Sequence, residues 1–340
     1  MRRAGNLLGK IADPDNLRLA FWKAQRGKAG RGEIRAFRAD LGANLVVLRK
    51  RIISGNLGPV AYRRFMVRDP KERLISAAPF PERVLQHAIM NICEPVLERG
   101  AIFDSYACRT GKGVRRAVRR AQVFTRASPW YLKMDVRKYF DSIDHAVALE
   151  LLARRIKDPG VLQLFRGILD GYHCAPGKGV PIGSLVSQHL ANLYLSALDH
   201  HFKEERRMRG YARYMDDLLI FGEDREAMKV LLTQARTFLR ARLFLELKEP
   251  VQINRTDRGV PFLGYRVFPG RILLAPRTRR RFAWKLRAIE ERLAAGIWDE
   301  ATAARHAEPL AEFTRTAAAA GFRRGIIARV GAAFAEVRTA

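Results

Sequence analysis

Tyr211-Ala-Arg-Tyr-Met-Asp-Asp-Leu-Leu-Ile-Phe221 sets two adjacent acids, Asp216 and Asp217, in the middle of an otherwise apolar, β-prone run. A carboxylate out of water must be paired, protonated or bound to a cation. No Arg or Lys occurs between Tyr214 and Glu223 to neutralise this pair. A hairpin resolves the conflict, because its strands bury the apolar residues while its tip presents both carboxylates at one point. The plain alternative is a solvated acidic turn, but such turns seldom fall within so apolar a segment.

Upstream, Trp130-Tyr-Leu-Lys-Met-Asp-Val136 is a strand-like run that reaches an acid, Asp135. If this strand lies beside the hairpin, three carboxylates converge. Hard oxygen donors in that number select Mg²⁺ or Mn²⁺, and two such ions about 3.5 to 4 Å apart form the clamp used for in-line displacement at phosphorus. The bland reading of Asp135 is a helix cap. Helical spacing covers 146–155 and 186–207 between the two segments, and 225–243 after them. The order strand, helix, helix, strand pair, helix, strand is that of a split βαβ unit, and Phe262–Val267 supplies one more strand.

Further out, 16–24 and 33–53 read as helices joined by a basic, glycine-bearing link. Residues 62–75 read as a hairpin with a basic tip, broken at Asp69-Pro70, and 82–99 as a helix with one apolar face. Between Arg109 and Arg126 there are seven basic residues and no acidic one. Such a face lacks partners for pairing one turn apart and calls for phosphates as counter-charge. Residues 268–340 are helical in pattern, with 14 basic and 7 acidic side chains.

The balance of the whole chain agrees. Its 340 residues carry 63 Lys and Arg against 34 Asp and Glu, a formal charge of +29 and a pI near 11.0. With 48% hydrophobic residues, global disorder is excluded. The charge excess points to a polyanion, nucleic acid first. No stretch approaches the roughly 18 apolar residues of a membrane span, and the start lacks a signal peptide's apolar core, so a soluble intracellular protein is expected. Cys93, Cys108 and Cys174 lack zinc or disulfide spacing and read as reduced and structural. His145, His200 and His201 lack ligand spacing, while Trp284 and Trp298 read as core residues.

The motifs resemble those of reverse transcriptases. Tyr214-Met215-Asp216-Asp217 has the family's Tyr-x-Asp-Asp form, and Asp135-Val136-Arg137-Lys138-Tyr139-Phe140 resembles its first palm motif. Gly179-Val-Pro-Ile-Gly-Ser-Leu-Val-Ser-Gln188 is similar to its template- and nucleotide-positioning motif. The resemblance extends to 68–75 in the fingers and 262–265 at the primer grip. Group II intron and retroviral enzymes usually carry Gln before the central glycine and Pro after the serine; here Ile182 precedes Gly183 and Gln188 follows Ser187. That variant resembles the enzymes of diversity-generating retroelements, which copy a template RNA with errors at adenines.

The resemblance implies an α+β right-hand polymerase: an N-terminal helical extension (1–60), fingers (61–130), a split βαβ, ferredoxin-like palm (131–267, with a fingers insertion near 150–180) and a short helical, basic thumb (268–340). It implies that Asp135, Asp216 and Asp217 are catalytic and, with the Val136 backbone, hold two Mg²⁺ ions, for which Mn²⁺ substitutes. Lys71, Arg73, Phe140, Ile182 and Gly183 are the implied nucleotide-binding residues, with Phe140 excluding ribonucleotides. Ser187, Gln188, Tyr214, Met215, Leu263, Gly264 and Tyr265 are those for template and primer. The family's Pro-x-Lys-x element is displaced, leaving Lys248 as the candidate general acid. Implied partners are template RNA, the RNA/cDNA duplex, dNTPs and a small basic oligomeric accessory protein, with no membrane, in a bacterial or phage-encoded cytoplasmic system. The alternatives are a retron-like, intron-like or phage-defence enzyme without adenine mutagenesis and, further off, a non-catalytic RNA-binding protein.

Overall fold

A computed structural model describes residues 2–58, 60–68 and 72–338. The helices α1 (Leu8–Ile11), α2 (Pro14–Gln25), α3 (Gly32–Ala39) and α4 (Leu41–Ser54) come first, followed by β1 (Arg63–Arg68) and β2 (Glu72–Ala77). Then come α5 (Phe80–Glu98), α6 (Val114–Ala127), β3 (Trp130–Asp135), α7 (Tyr139–Ser142), α8 (His145–Ala153), α9 (Pro159–Asp170) and α10 (Leu185–His200). The hairpin strands β4 (Tyr211–Tyr214) and β5 (Asp217–Gly222) precede α11 (Arg225–Leu243), β6 (Gln252–Arg255), β7 (Val260–Phe262), β8 (Tyr265–Val267) and β9 (Ile272–Leu274). Three helices end the chain: α12 (Pro276–Ala294), α13 (Glu300–Arg315) and α14 (Ala320–Arg338).

The chain gathers into two compact units, each from three separate segments: 1–109, 135–208 and 233–249 in one, and 110–134, 209–232 and 250–340 in the other. In the first unit α5 packs against α2 and α10. Its apolar face buries Val84, Leu85, Ala88, Ile89, Val96 and Leu97, as the helical spacing requires. Asp13 caps α2 by accepting from the Asp15 and Asn16 N–H groups. Phe21, Phe37 and Phe80 close the layer, with ring centroids 5.2 to 5.9 Å apart. The exposed β1 pairs with β2 from Arg63↔Ala77 to Arg68↔Glu72 as a hairpin, whose expected basic tip at 69–71 lies outside the described residues.

The second unit holds a four-stranded sheet in the order β4-β5-β3-β6, with β4–β5 and β3–β6 antiparallel. A β-helices-β-β-helix-β chain in that spatial order is the split βαβ, ferredoxin-like arrangement. The closing strand is β6. Phe262–Val267 is a hairpin, not one strand, and belongs to a separate sheet in the order β7-β8-β9. The short strands β6 and β9 escape periodicity because three or four residues show too little of a two-residue repeat. The helix expected over 186–207 divides into α10 and a π-turn at His201–Glu205.

Phe282, Leu286 and Ile326 join α12 and α14 in a small core with Leu310 and Phe322 packed on it. Trp284, expected in a core, is 66% exposed; Trp298 is half-buried, stacked on His306 at 4.3 Å beneath Arg292. Only Cys93 of the three free thiols is buried, and burial pushes its pKa up to about 12. Among the described residues no helix is long and apolar enough to cross a membrane.

Candidate active site

Register builds the acidic tip. Tyr214 pairs with Asp217, so Met215 and Asp216 form a two-residue turn, and Met215 takes a left-handed φ of 56°. A non-glycine residue held there stores about 1 to 2 kcal/mol, a cost that marks turns built for a purpose. Leu218 to Phe221 are buried behind the tip while Asp216 and Asp217 remain half-buried. The same sheet sets β5, which begins on Asp217, next to β3, which ends on Asp135.

Two cations that the sequence reading missed support this turn. Lys133 Nζ donates to Asp217 Oδ2 at 3.2 Å and to the Pro261 carbonyl at 2.9 Å. Arg213, only 1% exposed, donates from Nη1 to the Met215 carbonyl at 3.1 Å. The absence of Arg and Lys within 214–223 therefore did not leave the acids without a counter-charge; it comes from the next strand. The signal was period two in Lys133-Met134-Asp135, where Lys133 and Asp135 share a face and Met134 is buried.

Beyond Asp135, Val136 bridges to Leu247, and the Lys248 N–H donates to the Asp135 carbonyl at 2.8 Å. The displaced Lys248 is thus beside the strand end, exposed, while Glu249 pairs with Arg236 at 2.5 Å and not with Lys248. Tyr139 is buried, its hydroxyl donating to the Ala191 carbonyl, whereas Phe140 is half-buried and packs edge-on against Tyr139 at 5.9 Å. The Phe140 carbonyl accepts from the Val180 N–H at 2.9 Å, tying the two motifs together.

The 179–188 segment is fastened from both sides. The Ser76 N–H donates to the Ile182 carbonyl at 3.0 Å, so β2 of the β1–β2 hairpin holds this turn. Gly183 has φ +106°, and a Cβ there would sit 3.1 Å from Ile75 Cγ2. Ser184 caps α10: its Oγ accepts from the Ser187 N–H at 3.2 Å and donates to Gln86 Oε1 at 3.1 Å, which also accepts from the Leu185 N–H. Ile182 and Gln188 are half-buried, with Gln188 Oε1 3.5 Å from Cys108 Sγ; Ser187 is 1% exposed. The buried Ser187 gives its backbone N–H to the Ser184 cap, and its expected role in template contact belongs to the functional reading.

Arg73 is exposed on β2, and Lys71 lies outside the described residues. In the second hairpin Leu263 and Gly264 both have positive φ, 50° and 86°, between Phe262 and its partner Tyr265. Tyr265 is 1% exposed, its hydroxyl donating to the Phe313 carbonyl at 2.5 Å; burial pushes its pKa up to about 12. The ring anchors the hairpin, and the Leu263-Gly264 tip is its more accessible part. A Cβ on Gly264 would meet Thr278 Oγ1 at 3.0 Å and Phe313 Cζ at 3.2 Å. Gly264→Ala should therefore cost about 1 to 3 kcal/mol, read as a lower urea midpoint. An unchanged midpoint would show that the tip is not conformationally constrained.

Among the described residues, no three His, Cys, Asp or Glu side chains are already gathered as a metal cluster. The donor type is nonetheless right for a hard divalent cation, since Asp135 and Asp216 offer carboxylate oxygens only. Asp217 is engaged by Lys133.

The reverse transcriptase (RNA-dependent DNA polymerase) family model matches residues 68–267, more than half of the chain. Protein YkfC of Escherichia coli (strain K12) is 25% identical over 277 residues, covering 67% of this chain and 72% of that protein. Group II intron-encoded protein LtrA of Lactococcus lactis subsp. cremoris is 28% identical over 157 residues, 43% of this chain and 26% of LtrA. The chain thus spans most of YkfC but about a quarter of LtrA. Among solved structures, telomerase from Candida albicans superposes with a TM-score of 0.48 at 10% identity, covering 71% of this chain and 52% of that one. With the two-carboxylate turn and the strand ending on Asp135 inside the matched region, the chain belongs to the reverse transcriptase family of RNA-dependent DNA polymerases.

Proposed function

We propose that this polymerase copies a template RNA into cDNA by two-metal nucleotidyl transfer and does so with errors at template adenines, as the enzyme of a diversity-generating retroelement. The observation that carries the finer reading is Ile182 beside Gly183, a branched apolar side chain where most relatives present Gln.

On this reading, Asp135 and Asp216, with Asp217 behind them and the Val136 backbone at the same strand end, hold Mg²⁺, or Mn²⁺ in its place. When bound, the cations supply Lewis-acid activation of the primer 3′-hydroxyl and neutralise charge on the triphosphate. Arg73 and Lys71 hold the incoming triphosphate by charge-assisted hydrogen bonds. Phe140 excludes a 2′-hydroxyl by its bulk. Gly183 lets the backbone approach the nucleotide; Ser187, Gln188, Tyr214, Met215, Leu263 and Gly264 guide template and primer. Lys248 remains the candidate proton donor to pyrophosphate. The basic face of 109–126 and the thumb track the RNA/cDNA duplex. The reading also includes a small basic oligomeric accessory protein and a bacterial or phage cytoplasmic setting.

A polar contact near the template–nucleotide pair is worth roughly 1 to 3 kcal/mol, so its absence at Ile182 lowers discrimination tenfold or more. Ile182→Gln should therefore reduce misincorporation opposite template adenine about tenfold, measured by sequencing cDNA from a heteropolymeric RNA. An unchanged error spectrum would remove Ile182 from the account. The identity with LtrA favours a second reading, an intron-like enzyme of ordinary fidelity. Accurate synthesis at adenines by the wild-type protein, supplied with its RNA and accessory protein, would decide for that one.

A further inference from the structure

Lys133 stands at a junction. Its Nζ reaches Asp217 Oδ2 at 3.2 Å, on the catalytic turn, and the Pro261 carbonyl at 2.9 Å, on β7, the strand that leads to the Leu263-Gly264 tip. One ammonium group therefore links two hairpins. The pair is also sheltered: the Lys133 and Asp217 side chains are 22% and 19% exposed, unlike surface pairs such as Arg137–Glu246, at 63% and 57%. Shelter raises the strength of the interaction and the cost of leaving either group without the other.

We propose that Lys133 is a positioning residue for nucleotidyl transfer, orienting the Asp217 carboxylate and locking the Met215-Asp216 turn to the hairpin that carries the primer-grip tip. The assignment rests on the polymerase reading above. It follows from three placements. Lys133 shares a face of β3 with Asp135 by the two-residue period, and its ammonium reaches Asp217 on the neighbouring strand. Its second acceptor is a backbone carbonyl, which fixes the position of the lysine head against β7. The turn it supports has a left-handed non-glycine residue, a conformation that needs holding from outside. Because small displacements of positioned groups cost large factors in rate, a support of this kind is read in turnover more than in substrate binding.

A second consequence is electrostatic. The Lys133 charge offsets Asp217, so it weakens the pull of the acidic cluster on a divalent cation while keeping the carboxylate in place. Removing the charge should bind metal more tightly and turn over more slowly, a split that simple loss of stability does not produce.

The test compares the full-length wild-type chain with Lys133→Met, Lys133→Gln and Lys133→Arg in two assays. Primer extension on an RNA template with Mg²⁺ gives kcat and the dNTP KM; loss of the free Mn²⁺ electron-paramagnetic signal gives metal affinity without catalysis. Lys133→Met and Lys133→Gln should lower kcat tenfold or more, with KM within threefold, and tighten the Mn²⁺ Kd at least threefold. Lys133→Arg, which keeps the charge, should restore both to within threefold. Circular dichroism identifies a variant that fails to fold, and the glutamine variant then replaces the methionine one. Uncharged variants with wild-type kcat, or with unchanged Mn²⁺ affinity, overturn the assignment. If the wild-type protein makes no cDNA with its RNA and accessory protein present, the polymerase reading itself falls, and the Mn²⁺ titration alone still decides for or against Lys133.

Discussion

Asp216→Asn should reduce cDNA synthesis by at least about 10³-fold while leaving the protein as stable as the wild type. Asparagine keeps the size and shape of the side chain, so the two-residue turn between Tyr214 and Asp217 survives. What disappears is a hard anionic donor, and losing the charge that holds a catalytic cation removes several kcal/mol from the transition state. Each 1.36 kcal/mol is tenfold, so about 4 kcal/mol corresponds to the expected loss. Asp217→Asn should behave differently, because Asp217 Oδ2 is the acceptor for Lys133. That variant weakens a sheltered ion pair and should lower both activity and the unfolding midpoint. Primer extension alongside thermal unfolding of both variants separates the roles. Full activity in Asp216→Asn would remove Asp216 from the chemistry.

Phe140→Ala should raise ribonucleotide incorporation relative to deoxyribonucleotide by about 10 to 100-fold, a change in the ratio of the two kcat/KM values worth about 1.4 to 2.7 kcal/mol. The ring is half-buried, held edge-on against Tyr139 with an interplanar angle of 83°, and its backbone is tied to Val180. On the proposed reading the ring packed against Tyr139, on a backbone tied to Val180, meets a 2′-hydroxyl, and an alanine there offers no clash. Tyr139→Phe is the informative contrast. It removes the hydrogen bond to the Ala191 carbonyl, costing about 1 kcal/mol of stability, and should leave sugar discrimination unchanged. A ratio that moves less than twofold in Phe140→Ala would assign the ring to packing alone.

The two aromatics show where sequence reading succeeds and stops. Two adjacent aromatics, Tyr139-Phe140, allow one core ring and one ring facing out. Which was which required the Tyr139 hydroxyl and its partner 52 positions away. The hairpin tip was legible for a stronger reason, because two acids in an apolar β-prone run have few places to go. Its support was not: Lys133 lies on another strand, and although Arg213 stands next to Tyr214 in β4, nothing in the sequence assigns it to the Met215 carbonyl. The burial of Ser187 and Tyr265 was not legible, because a motif letter does not record it. Both side chains turn inward, one under a helix cap and one against Phe313.

The sequence by itself determined the local and periodic features of this protein: the acidic turn, the strand reaching Asp135, the helical faces, the excess of positive charge and the family. Those follow from burial cost, side-chain period and charge, each of which acts over a few residues or over composition. Only the tertiary structure decided that β6 closes the four-stranded sheet, that Phe262–Val267 folds back as a separate hairpin, and that the two compact units interleave along the chain. It also decided which cation answers Asp217. Those features depend on which distant segments pack together, and the free energy that selects them is shared among contacts that no single stretch of the chain contains.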